Sequence, residues 1–152
     1  MSGGTPTTGT ETAALRDALA AEQTAIWGYG VVGAALGAGG RAPAVAAEAA
    51  HRDVRDRVTA LLADRSAEPV KEQAGYALPF PILSAVDAAA LGVVLEDGVA
   101  AAWVRVLDQA AQRSTRELAV GLLSAAEVRA VSWRTAAGKT PVTSALPGLP
   151  GH

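Results

Sequence analysis

Apolar residues recur every three or four positions from Glu11 onward in the first part of the chain. This spacing places them on one face of an amphipathic α-helix, whereas a half-buried strand would alternate apolar and polar residues. Three glycines, Gly37, Gly39 and Gly40, end the pattern, as is common after a helix C-terminus. The pattern predicts a first helix over residues 11–36, whose inner face carries Leu15, Leu19, Ile26, Tyr29, Val32 and Leu36.

The segment GYGVVG at residues 28–33 matches the G-x-G-x-x-G pattern of dinucleotide-binding turns. Such a turn needs a strand before it and a helix that begins after it. Here the helical pattern continues through the motif, and no run of β-branched residues precedes Gly28. We therefore interpret the glycines as a small-residue surface that lets a second helix approach closely, rather than as a nucleotide site.

The second predicted helix is followed by a long connection. The helix begins at Pro43, which suits a first helical turn, and extends to about Arg65. Residues 66–83 then contain three prolines, and their apolar residues alternate with others from Tyr76 onward. We predict an ordered connection that lies along the surface of the helices.

The remaining sequence predicts two more helices. The third extends from about Ser84 to Gln112 and is apolar nearly all round, which is typical of a central helix. The fourth begins after the RST segment at residues 113–115, where Ser114 forms a capping-box pattern with Glu117, and ends near Gly138. Two helical hairpins joined by a long crossover indicate an all-α four-helix bundle. We expect a disordered leader at residues 1–10, the bundle at 11–138 and an extended tail at 139–152.

Composition narrows the classes of function. Half of the residues are apolar but only 4% are aromatic, so the core must be built from Ala, Val and Leu. A formal net charge of −2 gives no reason to expect nucleic acid or a membrane surface as a partner. The absence of cysteine excludes disulfides, thiolate catalysis and cysteine-based zinc sites. The N-terminal segment has no signal-peptide pattern, and we expect a cytoplasmic protein.

Acidic residues interrupt the predicted inner faces of the helices. Glu22 lies on the apolar stripe of the first helix, and Glu96 interrupts the most hydrophobic segment of the third. Glu127 occupies an inner position of the fourth helix, while Glu48 and His51 share one face of the second. A buried carboxylate must be paired with a cation, neutralised or bound to a metal. These five residues are therefore the candidate functional residues of the chain.

One class of site that these residues match is a two-metal carboxylate centre. Such centres take one Glu from each of two helices and a Glu-x-x-His pair from each of the other two. The pair is present at Glu48 and His51, but the position three residues after Glu127 is Ala130. Carboxylate and imidazole ligands suit iron or manganese.

The axial positions of the candidates do not all agree. With about 1.5 Å of rise per helical residue, Glu22, Glu96 and Glu127 lie roughly 18–24 Å below the first hairpin. Glu48 and His51 lie only roughly 8–12 Å below it. A metal centre that uses all five residues therefore requires a bend or a different register.

Three of the candidates also have ordinary interpretations. Glu48 has alanine neighbours and fits a solvated position, and His51 fits a core or surface histidine. Ser124 and Glu127 form a further capping-box pattern, so the fourth helix can restart there and Glu127 can bind backbone instead.

Glu22 and Glu96 have an alternative role in a buried hydrogen-bond network. A network of this kind can fix the register of the helices without any chemistry. Asp97 and Arg105 share a helix face and are candidates for a link through a water. The side chains that can donate to the two glutamates are Tyr29, Trp27, Trp103 and Arg105.

Several segments together resemble a known family. AEQTAIWGYGVVGA, AHRDVRD, YALPFPI, LEDGVAAAW and the closing ALPGLPG are similar to the actinobacterial ferritin-like domain of unknown function, over about residues 12–150. The resemblance implies a ferritin-like four-helix bundle that self-associates, but it implies no reaction. The wider ferritin resemblance assigns metal-ligand roles to Glu22, Glu48, His51, Glu96 and Glu127.

Three hypotheses about function follow from the sequence. The first is a ferritin-like bundle of unknown activity, a homodimer, whose buried carboxylate cluster is structural or binds an unidentified group. The second is a di-iron or di-manganese carboxylate oxidase or ferroxidase, with His51 as a terminal ligand. The third is a small-molecule pocket lined by the tryptophans. The sequence leaves open whether the protein is an enzyme.

Overall fold

The structure is a computed structural model that describes residues 4–150. These residues form four α-helices and no strand, which confirms the predicted all-α, four-helix organisation. The helices are α1 (Thr8–Leu36), α2 (Ala42–Asp64), α3 (Ala85–Gln109) and α4 (Arg113–Ala136). None of them is long and apolar enough to cross a membrane.

Helix α1 begins earlier than the sequence pattern predicted. Thr7 caps it, because its side chain accepts from the Thr10 amide while the Thr10 hydroxyl accepts from the Thr7 amide. Residues 8–10 of the expected leader are therefore helical, while residues 1–3 lie outside the described part of the chain. The helix ends at Gly37, whose φ of +69° favours glycine.

The GYGVVG segment is helical throughout, as predicted. Gly28 packs directly against α3, since a Cβ added there would lie 2.6 Å from the methyl groups of Leu95. The interpretation of the motif as a helix-packing surface is confirmed at this glycine.

Contacts between side chains define the directions of the helices. Gly33 lies beside Ala44 near one end of α1, and Glu11 binds Arg65 near the other, so α1 and α2 are antiparallel. In the same way, Tyr29 and Glu22 of α1 contact Glu96 and Trp103 of α3, so these helices are also antiparallel. It follows that α2 and α3 are parallel.

The connection between α2 and α3 must return along the length of the helices. It lies against α1, where Gln23 donates to the Val70 carbonyl and Trp27 packs on Tyr76 with ring centroids 5.7 Å apart. Near its end, Ile82 borders an apolar depression on α1. The predicted path along the surface is therefore observed.

The start of α4 differs from the sequence prediction. The helix begins at Arg113, and the predicted cap of Ser114 with Glu117 is not used, because Glu117 instead pairs with Arg113. The amide of Gln112, which precedes the helix, donates to the Glu11 carboxylate at 2.8 Å. The helix also continues through Ser124 without a break, so the alternative of a restart at that residue is wrong.

Helix α3 is the central element. It packs against α1 on one side and α4 on the other, and it supplies many of the fully buried side chains, as its all-round hydrophobicity predicted. Alanine, valine and leucine dominate the core, with Trp103 as its largest fully buried side chain.

The contact between α3 and α4 depends on a glycine. A Cβ added to Gly92 would lie 2.6 Å from the ring of the buried Trp133. We expect Gly92→Ala to lower the free energy of unfolding by about 1–3 kcal/mol, because the indole cannot move without disturbing the core. Gly121→Ala on α4 is the matched control: within residues 4–150 nothing lies within 4 Å of its added Cβ, and it should raise the free energy of unfolding by about 0.8–1 kcal/mol. Urea denaturation of both variants tests the difference.

Candidate functional site

Three of the predicted residues meet in the interior of the bundle. Glu22 of α1, His51 of α2 and Glu96 of α3 are each at most 1% exposed. His51 lies between the two carboxylates, with Nδ1 2.5 Å from Oε2 of Glu22 and Nε2 3.0 Å from Oε1 of Glu96. We call these three residues the central cluster.

The two carboxylates determine the protonation of His51. Burial alone would lower the pKa of this imidazole, but the hydrogen bonds to Glu22 and Glu96 and their negative charges raise it to about 9. At neutral pH the ring is therefore an imidazolium that donates from both nitrogens.

Glu96 concentrates its hydrogen bonds on one oxygen. Besides His51, Oε1 accepts from the Tyr29 hydroxyl at 2.5 Å and from Nε of Arg129 at 2.9 Å. Burial would raise the pKa of this carboxyl, but His51, Arg129 and Tyr29 together hold it below its ordinary value. Its other oxygen, Oε2, is buried and has no hydrogen-bond partner among residues 4–150.

Aromatic side chains enclose the central cluster. Trp103 donates from Nε1 to Oε1 of Glu22 at 2.8 Å, and Tyr29 stacks on the His51 ring with centroids 5.6 Å apart. Burial and the charge of Glu96 raise the pKa of Tyr29, so its hydroxyl remains a donor. Glu22 and Glu96 are therefore at most 1% exposed to solvent.

The charges around the central cluster balance within the chain. Glu22 and Glu96 supply two negative charges, and the His51 imidazolium and the Arg129 guanidinium supply two positive ones. Buried carboxylates require such pairing. Each carboxylate is thus compensated by side chains of the same chain.

The other two predicted ligands lie elsewhere. Glu48 pairs with Arg52 on the surface of α2, at 2.6 Å. Glu127 binds Arg134 at 2.8 Å and accepts from the Ser144 amide at 3.2 Å. Within residues 4–150, no group of three or more His, Asp or Glu side chains is arranged to hold a metal ion.

The predicted difference in height does not keep His51 away from the two acids. In the structure its ring contacts Glu22 and Glu96 directly, because the side chains bridge the axial offset between the helix backbones. The estimate counted from assumed helix ends and neglected the reach of two long side chains.

The predicted hydrogen-bond network is partly confirmed. Tyr29 and Trp103 donate to the central cluster as anticipated. Trp27 instead packs on the connection after α2, and Arg105 lies near Asp17 at 3.7 Å rather than linking to Asp97. Asp97 pairs with Arg134.

Sequence reasoning missed Arg129 as a member of the network. The spacing along α4 does indicate an inner position for this residue. Arg129 comes three residues after Ala126 and four before Trp133, so it shares a helix face with these two buried residues. A cation at an inner helical position opposite two buried acids indicates a paired role.

A third buried acid, Glu11, was also missed. It is fully buried at the opposite end of α1 and accepts from Arg65, from the Thr115 hydroxyl at 2.7 Å and from the Gln112 amide. Burial would raise its pKa, but these hydrogen bonds hold the pKa below its ordinary value. Glu11 lies on the same helical face as Leu15. Its hydrogen bonds connect α1 to the end of α2 and to the start of α4.

Comparison with known proteins gives a family but no activity. No curated protein matches the chain. A solved structure described as a conserved hypothetical protein, rv2844, from Mycobacterium tuberculosis is 36% identical, with a TM-score of 0.81. The match covers 85% of this chain and 98% of that one. The family described as a domain of unknown function (DUF4439) matches residues 14–151, and the chain therefore belongs to that family.

Proposed function

We propose that the protein is a non-catalytic, ferritin-like bundle and that the central cluster is a metal-independent ion-pair network that fixes the register of its helices. The observation that carries the proposal is the position of His51. Its two ring nitrogens each bind a carboxylate from a different helix, at 2.5 and 3.0 Å. One side chain of α2 thereby ties α1 to α3.

The charge balance supports a network rather than a two-metal centre. Two divalent cations would enter a site that already contains the Arg129 guanidinium, 2.9 Å from Glu96. Both nitrogens of His51 are engaged, and Ala130 stands where such centres carry a second histidine. The donor set therefore does not fit a di-metal site without displacing the chain's own cations.

One observation favours the alternative of a di-iron or di-manganese oxidase or ferroxidase. Glu22, His51 and Glu96 come from three helices and meet at one buried point, and Oε2 of Glu96 has no hydrogen-bond partner in the described part of the chain. An unpartnered buried carboxylate oxygen is a ligand atom that a cation would stabilise.

Elemental analysis separates these two functions. Protein from cells grown with added iron or manganese should contain far less than one metal ion per chain, and added Fe²⁺ should leave its melting temperature unchanged. Glu48→Ala serves as a control, since Glu48 lies outside the central cluster. A stoichiometric metal content that disappears in Glu22→Ala and Glu96→Ala would contradict the network and support the metal centre.

Self-association belongs to the same proposal. Large apolar side chains are exposed near the start of α3, including Leu83 at 86% and Val86 at 56%. We expect a homodimer at tens of micromolar, measured by light scattering. A monomer at that concentration would contradict this part of the proposal.

A further inference from the structure

The chain after α4 folds back over the bundle. It turns at Gly138, whose φ is +68°, and then follows the surface of α4 and α3. Nη1 of Arg134 donates to the Val142 carbonyl at 3.0 Å, and the Ser144 amide donates to Glu127 at 3.2 Å. We call residues 139–150 the C-terminal segment.

The far end of the C-terminal segment is held by close packing on α3. Gly148 has a φ of +79°, and a Cβ added there would lie 2.7 Å from the Ala100 carbonyl oxygen and would clash with a methyl group of Val104. Only glycine fits this approach. The segment is therefore fixed at both ends, by hydrogen bonds to α4 and by contact with α3.

A groove of about 840 Å³ lies between the C-terminal segment and α3. Its floor is formed by Gly98 and Ala101 of α3, and the segment contributes Pro141, Leu146 and Leu149 to its walls. Small-molecule sites are typically mostly apolar clefts of about 300–1,000 Å³ with a few placed polar groups. The groove has this size and composition.

The polar end of the groove has a net negative charge. Arg134 is only 10% exposed and is paired with both Asp97, at 2.7 Å, and Glu127, at 2.8 Å. One guanidinium facing two carboxylates leaves a net negative charge. Because Asp97 is 53% exposed and the other two are largely covered, its carboxylate is the charge that a ligand in the groove would meet.

We infer that the groove binds a small organic cation, an amine with an apolar body. The ammonium group pairs with the carboxylate of Asp97, and the apolar body covers Gly98 and Ala101 between the leucines of the C-terminal segment. An anion is repelled by the net charge, and one accessible carboxylate gives a bare metal ion too few ligands. The site is separate from the central cluster, and the inference does not depend on the function proposed for that cluster.

Binding can be tested on the full chain with hexan-1-amine as the probe and hexan-1-ol as its neutral analogue. Backbone NMR signals of Gly98, Ala101 and Gly148 should shift on titration with millimolar amine. We expect the amine to bind about five- to tenfold more tightly than the alcohol, as a charge-assisted hydrogen bond would give. Asp97→Asn should remove this preference, while Arg134 keeps its contacts with Glu127 and Val142.

A matched pair of variants locates the binding. Among residues 4–150, no atom lies within 4 Å of a Cβ added at Gly98 or at Gly121, so the first atom of a side chain meets no clash at either position. Gly98→Leu fills the groove and should abolish the shifts, whereas Gly121→Leu, outside it, should preserve them. The inference is overturned if wild-type signals do not move, if the alcohol binds as well as the amine, or if Gly98→Leu still binds.

Discussion

Replacing His51 by alanine is expected to lower the free energy of unfolding by about 3–5 kcal/mol. The variant leaves Glu22 and Glu96 buried; among the residues that the structure describes, Glu96 then has only Arg129 as an ionic partner and Glu22 has none. A buried charge that loses its partner retains its desolvation cost and loses the compensating attraction. Urea denaturation at neutral pH measures the loss.

A double variant distinguishes the loss of charge pairing from the loss of side-chain volume. His51→Ala combined with Glu22→Gln keeps an amide oxygen as acceptor for Trp103, removes the carboxylate charge that His51 had compensated, and leaves Glu96 paired with Arg129. It should be clearly more stable than His51→Ala alone, and the two single variants with the double variant form a double-mutant cycle. If His51→Ala unfolds like wild type, or if the double variant is no more stable than His51→Ala, His51 does not compensate the charge of Glu22.

A surface ion pair on α2 provides a comparison for the buried ionic contacts of His51. Glu48→Ala removes a pair whose arginine is 52% exposed, so the change in stability should stay within about 1 kcal/mol. The contrast between His51 and Glu48, only three residues apart, separates a buried ionic contact from a solvated one.

The fold was predictable because a helical period of apolar residues, or in α3 hydrophobicity nearly all round, marks the helices. Gly37 to Gly40 and Pro43 mark the first turn between helices, and the prolines of residues 66–83 mark the crossover. The burial of Glu22 and Glu96 was predictable for the same reason, since a polar residue on an apolar stripe stands out. Both acids are fully buried in the structure.

The partners of those acids depend on axial register, which the sequence determines poorly. Ala44 lies beside Gly33; His51 follows Ala44 by seven residues, and Glu22 precedes Gly33 by eleven. At about 1.5 Å per residue the two backbones therefore differ by roughly 6 Å in height. The side chains of Glu22 and His51 together are long enough to span that distance. A count of residues along the backbone does not include the length of the side chains.

The N-terminal cap of α4 is likewise determined by tertiary contacts and not by the local sequence. Ser114 and Glu117 form a local capping pattern, but the amide before α4 binds Glu11, which is 101 residues away in sequence. A buried carboxylate shared with Arg65 and Thr115 takes the place of the local cap. A pattern of four consecutive residues carries no information about such a partner.

The stability of the protein is expected to fall as the pH rises from about 6.5 to about 9. The folded state raises the pKa of His51 from 6.5 to about 9. Below 6.5 the imidazole is protonated in both the folded and the unfolded state, and its ion pairs contribute fully. As the pH rises through 9 the folded protein loses that proton and the contribution disappears. A shift of this size corresponds to a loss on the order of 3 kcal/mol in the free energy of unfolding.

Urea denaturation of wild type and His51→Gln across this interval tests the dependence. The variant lacks the titrating group, so its stability should change little over the same range, although it is lower than that of wild type below pH 6.5. Glu96 acts in the opposite direction, because its lowered pKa contributes stability that is lost only in acid. A wild-type profile that is flat between 6.5 and 9, or a decline of equal size in His51→Gln, would show that the folded protein does not hold His51 in its charged form.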